Sequence, residues 1–267
     1  MVFEERMKNV IYDEIIKILP ILIAGFVLFY WNLGSTPINV WDESLYANIA
    51  QDMISYSNWL VPYSSYPAGG GTYGPFFEKF PLLYWLEALS FVTLGQSEFA
   101  ARFHSATFGI LSAVVIYYFG CRLFSRRAGF ISAISFLTIP YIYAGKNAAR
   151  QGSLETGMLF FGLCFIYFTY MYSKNGNFRW GVGWAIAAGL VVMSKGMAGG
   201  IFLIIVLPIV FTNLRKFIKP RSIGFASITC FLSLPWPLLM YKKYPNLFVN
   251  HIVRVTFERR QHYSCEP

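Results

Sequence analysis

The chain has 267 residues, of which 56% are hydrophobic, 19% are aromatic and only 13% are charged. Soluble domains carry about 25% charged residues, so this composition excludes an ordinary soluble globular protein and indicates one embedded largely in lipid. The net charge is +9, but Lys and Arg form short clusters between apolar runs, without a basic stripe interleaved with aromatic residues, which argues against nucleic-acid binding.

Apolar runs recur along the chain, and a helix needs roughly 20 mostly apolar residues to cross a bilayer core of about 30 Å. The first run follows a charged amino-terminal segment and has no small-residue cleavage site, so we interpret it as a membrane anchor. The predicted fold class is an all-α polytopic transmembrane helical bundle with about seven spans. They lie at roughly 15–33, 104–121, 127–145, 154–172, 180–194, 198–213 and 222–241.

The basic residues indicate the orientation of these spans. The connections at 122–127, 174–179 and 215–221 contain Lys and Arg but no acid. Because Lys and Arg are biased toward cytoplasmic loops, we predict that these connections and the amino terminus are cytoplasmic and that the alternate connections are external. The further apolar stretch at 80–95 must then be an external re-entrant or interfacial helix, within a large first external loop at about 34–103.

Acids and lysines in the predicted external regions are the candidate functional residues. Asp42 and Glu43 begin an amphipathic stretch suited to the membrane interface, where carboxylates can also simply cap a helix. Glu78 and Lys79 precede the apolar stretch, where an interfacial ion pair is the simpler explanation. Lys195 is equally explained as a lysine at the end of a span that reaches lipid headgroups.

Taken in order, these motifs resemble the GT-C membrane glycosyltransferases, especially the branch with lipid A aminoarabinose transferases and protein O-mannosyltransferases. The resemblance covers roughly residues 10–255, with a glycine-containing insertion at about 63–75. The segments that carry it are Trp41-Asp42-Glu43-Ser44-Leu45-Tyr46-Ala47, Phe77-Glu78-Lys79, Pro81-Leu82-Leu83-Tyr84-Trp85-Leu86, Glu98-Phe99-Ala100-Ala101-Arg102-Phe103, Arg122-Leu123-Phe124, Glu155 ahead of Phe160-Phe161, and Ser194-Lys195-Gly196.

The resemblance implies an inverting glycosyltransferase whose sugar donor is linked through phosphate to a polyprenyl lipid. The active site is then expected on the external face of a prokaryotic plasma membrane. Asp42 is expected to deprotonate the acceptor hydroxyl as a general base, with Tyr46 nearby. Lys79 and Lys195 are expected to contact the lipid phosphate in one shared pocket. The other expected substrate-binding residues are Glu43, Arg150 and Glu155.

The same resemblance implies a divalent metal, zinc or similar, held by Glu78 with His251 as the candidate partner, although a lone histidine near an interface is usually not a ligand. The expected partners are the polyprenyl-phosphate sugar donor and membrane lipid, and the acceptor is left open. Residues 1–267 are expected to form one module without the carboxy-terminal part of the family fold. A truncated non-catalytic member and a membrane transporter or lipid flippase are the alternatives.

Overall fold

The computed structural model describes residues 2–40, 42–68, 72–143, 145 and 148–253. The glycines at 69–71, in the glycine-containing insertion, lie outside the described residues. The structure is mostly helical, as predicted. The helices are α1 (Val2–Tyr30), α2 (Asp42–Ser55), α3 (Leu82–Leu94), α4 (Glu98–Leu123), α5 (Arg126–Thr138), α6 (Pro140–Tyr143), α7 (Leu154–Asn175), α8 (Phe178–Lys195), α9 (Gly200–Thr212), α10 (Leu214–Phe217), α11 (Pro220–Ser233), α12 (Pro235–Lys243) and α13 (Pro245–Val253).

A small hairpin departs from the all-α prediction. Strands β1 (Tyr63–Ala68) and β2 (Thr72–Pro75) pair antiparallel, with Tyr63 opposite Pro75. The hairpin occupies the insertion identified in the sequence. Its register is irregular between Ser64 and Ala68, and so short a ribbon depends on packing against neighbouring helices for its stability.

Three described helical segments are long and apolar enough to cross a membrane: Glu98–Leu123, Leu154–Asn175 and Phe178–Thr212. Helices α11 and α12 would form a fourth if counted together, with a bend of 41° between them. The predicted span at 127–145 is divided into α5 and α6 at Pro140. A proline has no backbone N–H to donate to the preceding turn, so the helix ends before it.

The chain reverses direction between α8 and α9, inside the segment Phe178–Thr212. A 3-10 turn at Gly196–Gly199 joins the two helices. A Cβ placed on Gly199 would lie 2.7 Å from the carbonyl oxygen of Val191, eight residues earlier in α8, and the ring of Phe202 in α9 packs against Gly162 in α7. Helix α9 therefore returns along α7. The Lys195–Glu155 ion pair joins the carboxyl end of α8 to the amino end of α7.

The largest apolar core includes α3. Its buried members come from α2, α3, α7, α8 and α9 and from Phe76 before α3, so helices distant in sequence share one core with the short apolar helix that the sequence predicted at 80–95. They include Tyr46, Ile49, Leu83, Tyr84, Phe161, Val191 and Phe202. The 13 residues of α3 span about 20 Å, less than a bilayer core, so α3 is a packing element and does not span the membrane on its own.

A buried ion pair fixes the amino end of α2. The Glu43 carboxylate accepts hydrogen bonds from Nε (2.7 Å) and Nη2 (3.3 Å) of Arg102 in α4. It also accepts the backbone N–H groups of Asn39 and Gly152, both at 2.8 Å. The side chains of Arg102 and Glu43 are 2% and 4% exposed. The remaining guanidinium donors bind carbonyl oxygens of the segment that follows α1, those of Leu33, Thr36 and Pro37.

The hydrogen bonds outweigh the desolvation of the Glu43 carboxyl. Burial alone would raise its pKa, but the bonds from Arg102, Gly152 and Asn39 lower the pKa below its usual value. The carboxylate therefore stabilises the fold above the usual carboxyl pKa, and this stabilisation is lost as the pH falls through the lowered value.

We expect Arg102→Met to lower the free energy of unfolding by about 3–5 kcal/mol, because Glu43 would remain buried without its cation. The thermal midpoint in detergent measures this loss. Arg127→Met, at an exposed arginine, is the control and should change stability by less than about 0.5 kcal/mol. Equal midpoints for the two variants would contradict the central role of the pair.

Candidate functional site

Three of the sequence-predicted residues, Asp42, Tyr46 and Glu78, lie near Tyr84 in α3. Tyr84 is fully buried, and its hydroxyl has no hydrogen-bond partner among the described residues. Its ring centroid lies 5.7 Å from that of Tyr46. Burial raises the pKa of Tyr84 well above its usual value, and Tyr46, Glu78, Glu87 and Asp42 raise it further. Asp42 and Glu78, from separate segments, are thus close enough to act on the same phenol.

Secondary structure explains how the two acids reach this point. Asp42 is half-buried in the first turn of α2, where the helix dipole favours a carboxylate. Tyr46 lies four residues later on the same face and is buried against Tyr84. Glu78 is half-buried in the segment that leads into α3. The arrangement presents two carboxylates near a buried hydroxyl.

The two predicted phosphate-binding lysines lie on segments in direct contact. A Cβ placed on Gly196 would be 3.0 Å from Cδ1 of Phe80, so the residues after Lys195 and Lys79 touch. With 3.8 Å between consecutive Cα atoms, the Cα atoms of the two lysines are no more than about 16 Å apart. Gly196 has a φ of 59°, which glycine adopts without strain, and a larger residue would collide with Phe80.

Lys195 forms an ion pair with Glu155 in the first turn of α7. Their side chains are 13% and 28% exposed, so the pair is partly accessible. Gly157, two residues past Glu155 in the first turn of α7, packs against Leu83, the neighbour of Tyr84. The turn that carries Glu155 therefore contacts α3, and Lys79 is more buried than this pair, at 5% exposed.

Two of the predicted substrate-binding residues have structural contacts instead of positions at this cluster. The Glu43 carboxylate is occupied by Arg102 and two backbone amides. Arg150 donates from Nη1 to the carbonyl oxygen of Leu28 at 2.7 Å, which ties the loop before α7 to α1. Their roles in substrate binding stay predictions.

The hydrogen bonding of His251 does not fit the predicted metal site, which paired this histidine with Glu78. Nδ1 of His251 accepts the backbone N–H of Phe77 at 3.1 Å, so the proton of a neutral ring is on Nε2. A metal-binding histidine usually donates its second ring nitrogen, whereas here that nitrogen accepts. In the part of the chain that the structure describes, no three His, Cys, Asp or Glu residues form a group that could hold a metal ion. We derive no chemical step through a metal.

Sequence reasoning gave no role to Glu87, the acid of α3. It is fully buried, and neither carboxylate oxygen has a hydrogen-bond partner within the described ranges. Burial raises its pKa well above the usual value, and Glu43 raises it further, which favours the neutral acid. The signal in the sequence was a single acid within an otherwise apolar helix. Tyr84 gave no comparable signal, because a tyrosine is common in such a helix.

Comparison with known proteins identifies the family. The model of the dolichyl-phosphate-mannose-protein mannosyltransferase family matches residues 78–241, more than half of the chain. The chain belongs to this family. The match includes Glu78, Lys79, Glu155 and Lys195 and confirms the resemblance to GT-C membrane glycosyltransferases.

Curated relatives point to the aminoarabinose branch of this fold. The chain is 27% identical over 251 residues to the undecaprenyl phosphate-alpha-4-amino-4-deoxy-L-arabinose arabinosyl transferase of Aeromonas hydrophila, covering 89% of this chain and 44% of the relative. It is 32% identical over 265 residues to the enzyme of the same name from Yersinia pestis, covering 90% and 45%. The chain thus spans less than half the length of these relatives.

Solved structures share the architecture. The crystal structure of ArnT from Cupriavidus metallidurans bound to undecaprenyl phosphate aligns with a TM-score of 0.72 and 20% identity, over 88% of this chain and 44% of that chain. The oligosaccharyltransferase of Archaeoglobus fulgidus in the apo form aligns with a TM-score of 0.63 and 18% identity, over 93% and 34%. At these identities the likeness establishes the fold.

We expect Tyr84→Phe to leave the thermal midpoint unchanged or slightly raised, because the hydroxyl it removes is buried without a partner. Tyr172→Phe is the matched control, since the buried Tyr172 hydroxyl lies 2.7 Å from Oγ of Ser222. Loss of that hydrogen bond should lower the free energy of unfolding by about 0.5–1.5 kcal/mol. An equal fall of the midpoint in both variants would contradict a Tyr84 hydroxyl that is buried without a partner among the described residues.

Proposed function

We propose that this chain carries the active-site portion of an inverting glycosyltransferase that moves a sugar from a polyprenyl-phosphate donor to an acceptor hydroxyl. The observation that supports this most is the convergence of Asp42, Glu78 and Tyr46 on Tyr84, beside the paired Lys195 and Glu155. Carboxylates next to cations match a reaction that removes a proton from one substrate and releases an anionic phosphate from the other.

In the proposed mechanism Asp42 takes the proton of the acceptor hydroxyl as that oxygen attacks the anomeric carbon. The new carbon–oxygen bond forms on the face of the sugar opposite the bond to the lipid phosphate. That bond breaks, and the lipid phosphate leaves with the electron pair. Attack from the opposite face inverts the anomeric centre. Asp42 is suited to act as the general base because it is half-buried in the first turn of α2. There it is partly accessible to an acceptor and held in place by the helix.

The leaving phosphate needs cations on the other side of the sugar. Lys79 and Lys195 supply two, and their segments are in contact through Phe80 and Gly196. An ammonium group has three donors, so Lys195 can hold Glu155 and a phosphate oxygen together. Glu155 would then keep Lys195 in position before the donor arrives.

The proposed topology has about seven spans, a cytoplasmic amino terminus and this site on the external face. Its support is the set of acid-free basic connections at 122–127, 174–179 and 215–221. The reversal at Gly196–Gly199 also fits two antiparallel spans on either side of Lys195. In this arrangement Asp42, Glu78 and Lys195 share one side of the membrane.

We expect Asp42→Asn to reduce transfer by about 10²–10⁴-fold while the protein is expressed in the membrane at normal levels, because Asn keeps a capping oxygen but cannot take the proton. Transfer of a labelled sugar from an undecaprenyl-phosphate donor by purified protein measures the effect. Glu98→Gln is the control, since Glu98 is an exposed acid in the first turn of α4. Near-wild-type turnover by Asp42→Asn would leave Asp42 as a helix cap only.

Lys195→Met should weaken binding of the donor by about tenfold or more, as expected for one charge-assisted hydrogen bond to phosphate of about 1.5–3 kcal/mol. Binding of undecaprenyl phosphate to protein in nanodiscs is the measurement. Lys242→Met, at an exposed lysine in the last turn of α12, should bind like the wild type. Equal affinities for both variants would remove Lys195 from the phosphate site.

A further inference from the structure

A cavity lies at the carboxyl end of α2, away from the residues assigned to the donor. It has a volume of about 220 Å³ and is lined by Asp52, Tyr56, Asn58 and Tyr63. Its walls are formed by the end of α2, the turn that follows and the first residue of the inserted hairpin. All four side chains can form hydrogen bonds, and two carry aromatic rings.

The turn after α2 is a well-defined helix cap. The N–H of Asn58 binds the carbonyl oxygen of Met53 at 3.0 Å, and that of Ser57 binds the carbonyl of Ile54 at 3.1 Å. Ser57 has a φ of 51°, the left-handed conformation that this motif requires. Oδ1 of Asn58 accepts the N–H of Val61 at 3.2 Å. The position of Asn58 in the cavity wall is therefore held by two hydrogen bonds, one from its backbone N–H and one to its side-chain oxygen.

The acid in the cavity is also fixed before any ligand binds. Asp52 is 7% exposed, and its two oxygens accept the N–H of Ser65 at 2.7 Å and the hydroxyl of Ser65 at 2.9 Å. Ser65 belongs to β1, so this contact attaches the inserted hairpin to α2. Each carboxylate oxygen has a further lone pair for a donor on a ligand.

The two tyrosines give the cavity an aromatic wall. The rings of Tyr56 and Tyr63 meet edge to face, with centroids 5.8 Å apart and an interplanar angle of 74°. Tyr56 is 62% exposed, so an apolar ring face is open to a ligand. The edge-to-face contact holds that ring at low conformational cost.

We propose that this cavity binds a sugar unit of the acceptor. The C–H faces of a pyranose stack on an aromatic ring, and its hydroxyls match the donors and acceptors of Asp52 and Asn58. Among the residues that the structure describes, no cation lines the cavity, and Asp52 repels anions, so a phosphate or an acidic group is a poor ligand. A purely apolar chain would leave the carboxylate desolvated without a partner.

The cavity and the proposed base are on one rigid element. Asp42 and Asp52 are ten residues apart in α2, a rise of about 15 Å. An acceptor with more than one sugar could thus hold a distal unit here while its reactive hydroxyl lies at Asp42. This inference rests on the proposed function and adds to it a saccharide as the class of acceptor.

The test measures binding of mannobiose, chitobiose and lactose to the purified protein in lipid nanodiscs by saturation-transfer NMR, with inorganic phosphate as the non-saccharide probe. We expect at least one disaccharide to bind and phosphate not to compete with it. Tyr56→Ala should weaken that binding at least fivefold at an unchanged thermal midpoint. Asp52→Asn should also weaken it at least fivefold but should lower the midpoint, because an amide group replaces one of the two oxygens that accept hydrogen bonds from Ser65. Tyr141→Ala, at another tyrosine that is 67% exposed, is the matched control and should bind normally.

Two outcomes would overturn the proposal. Either no disaccharide binds, or Tyr56→Ala and Asp52→Asn both bind like the wild type. Transfer is assayed separately on the same preparations. Disaccharide binding that depends on Tyr56, in a protein that transfers no sugar, would support the cavity and reject only the proposed function. Transfer with no change in the acceptor KM for Tyr56→Ala would reject the cavity and keep that function.

Discussion

The Glu43–Arg102 ion pair is the contact on which the rest of the site depends. Two charges are removed from water there, and the energy of that removal is offset because nearly every donor and acceptor of the pair is used. The pair joins the segment after α1, the start of α2, the start of α4 and the loop before α7. Since Asp42 immediately precedes Glu43, the same contacts fix where the proposed base lies.

The environment of α3 differs from that of an ordinary packed core. Native proteins rarely leave a buried polar atom without a partner, yet Tyr84 and Glu87 both do so among the described residues. Each has a neighbouring acid that raises its pKa further. Such groups destabilise the free protein, and a bound substrate that completes their hydrogen bonds gives a physical reason for their presence. Helix α3 thus connects the carboxylate cluster to the apolar core.

Backbone reversals bring the cationic part of the site to the acidic part. The turn at Gly196 returns the chain after Lys195 and places it against Phe80, while α7 begins at the same level with Glu155. The inserted hairpin is attached to α2 through Ser65 and Asp52. It contributes to the wall of the cavity at the carboxyl end of that helix. The turn at Gly196 and the inserted hairpin both hold polar groups against rigid helices, and this limits the entropy lost when a substrate binds.

The sequence determined the helical class, most helix positions and the family, because apolar length and ordered motifs are local properties of the chain. It also placed Asp42, Glu78, Lys79 and Lys195 among the candidates. Tertiary structure alone decided that Glu43 pairs with Arg102, 59 residues away, that Tyr84 is buried near Asp42 and Glu78, and that Nδ1 of His251 accepts a backbone amide. These facts depend on which helices meet and on how side chains turn in a closed core. No local pattern encodes them, since the same residues at the same spacing suit a helix cap or a snorkelling lysine equally well.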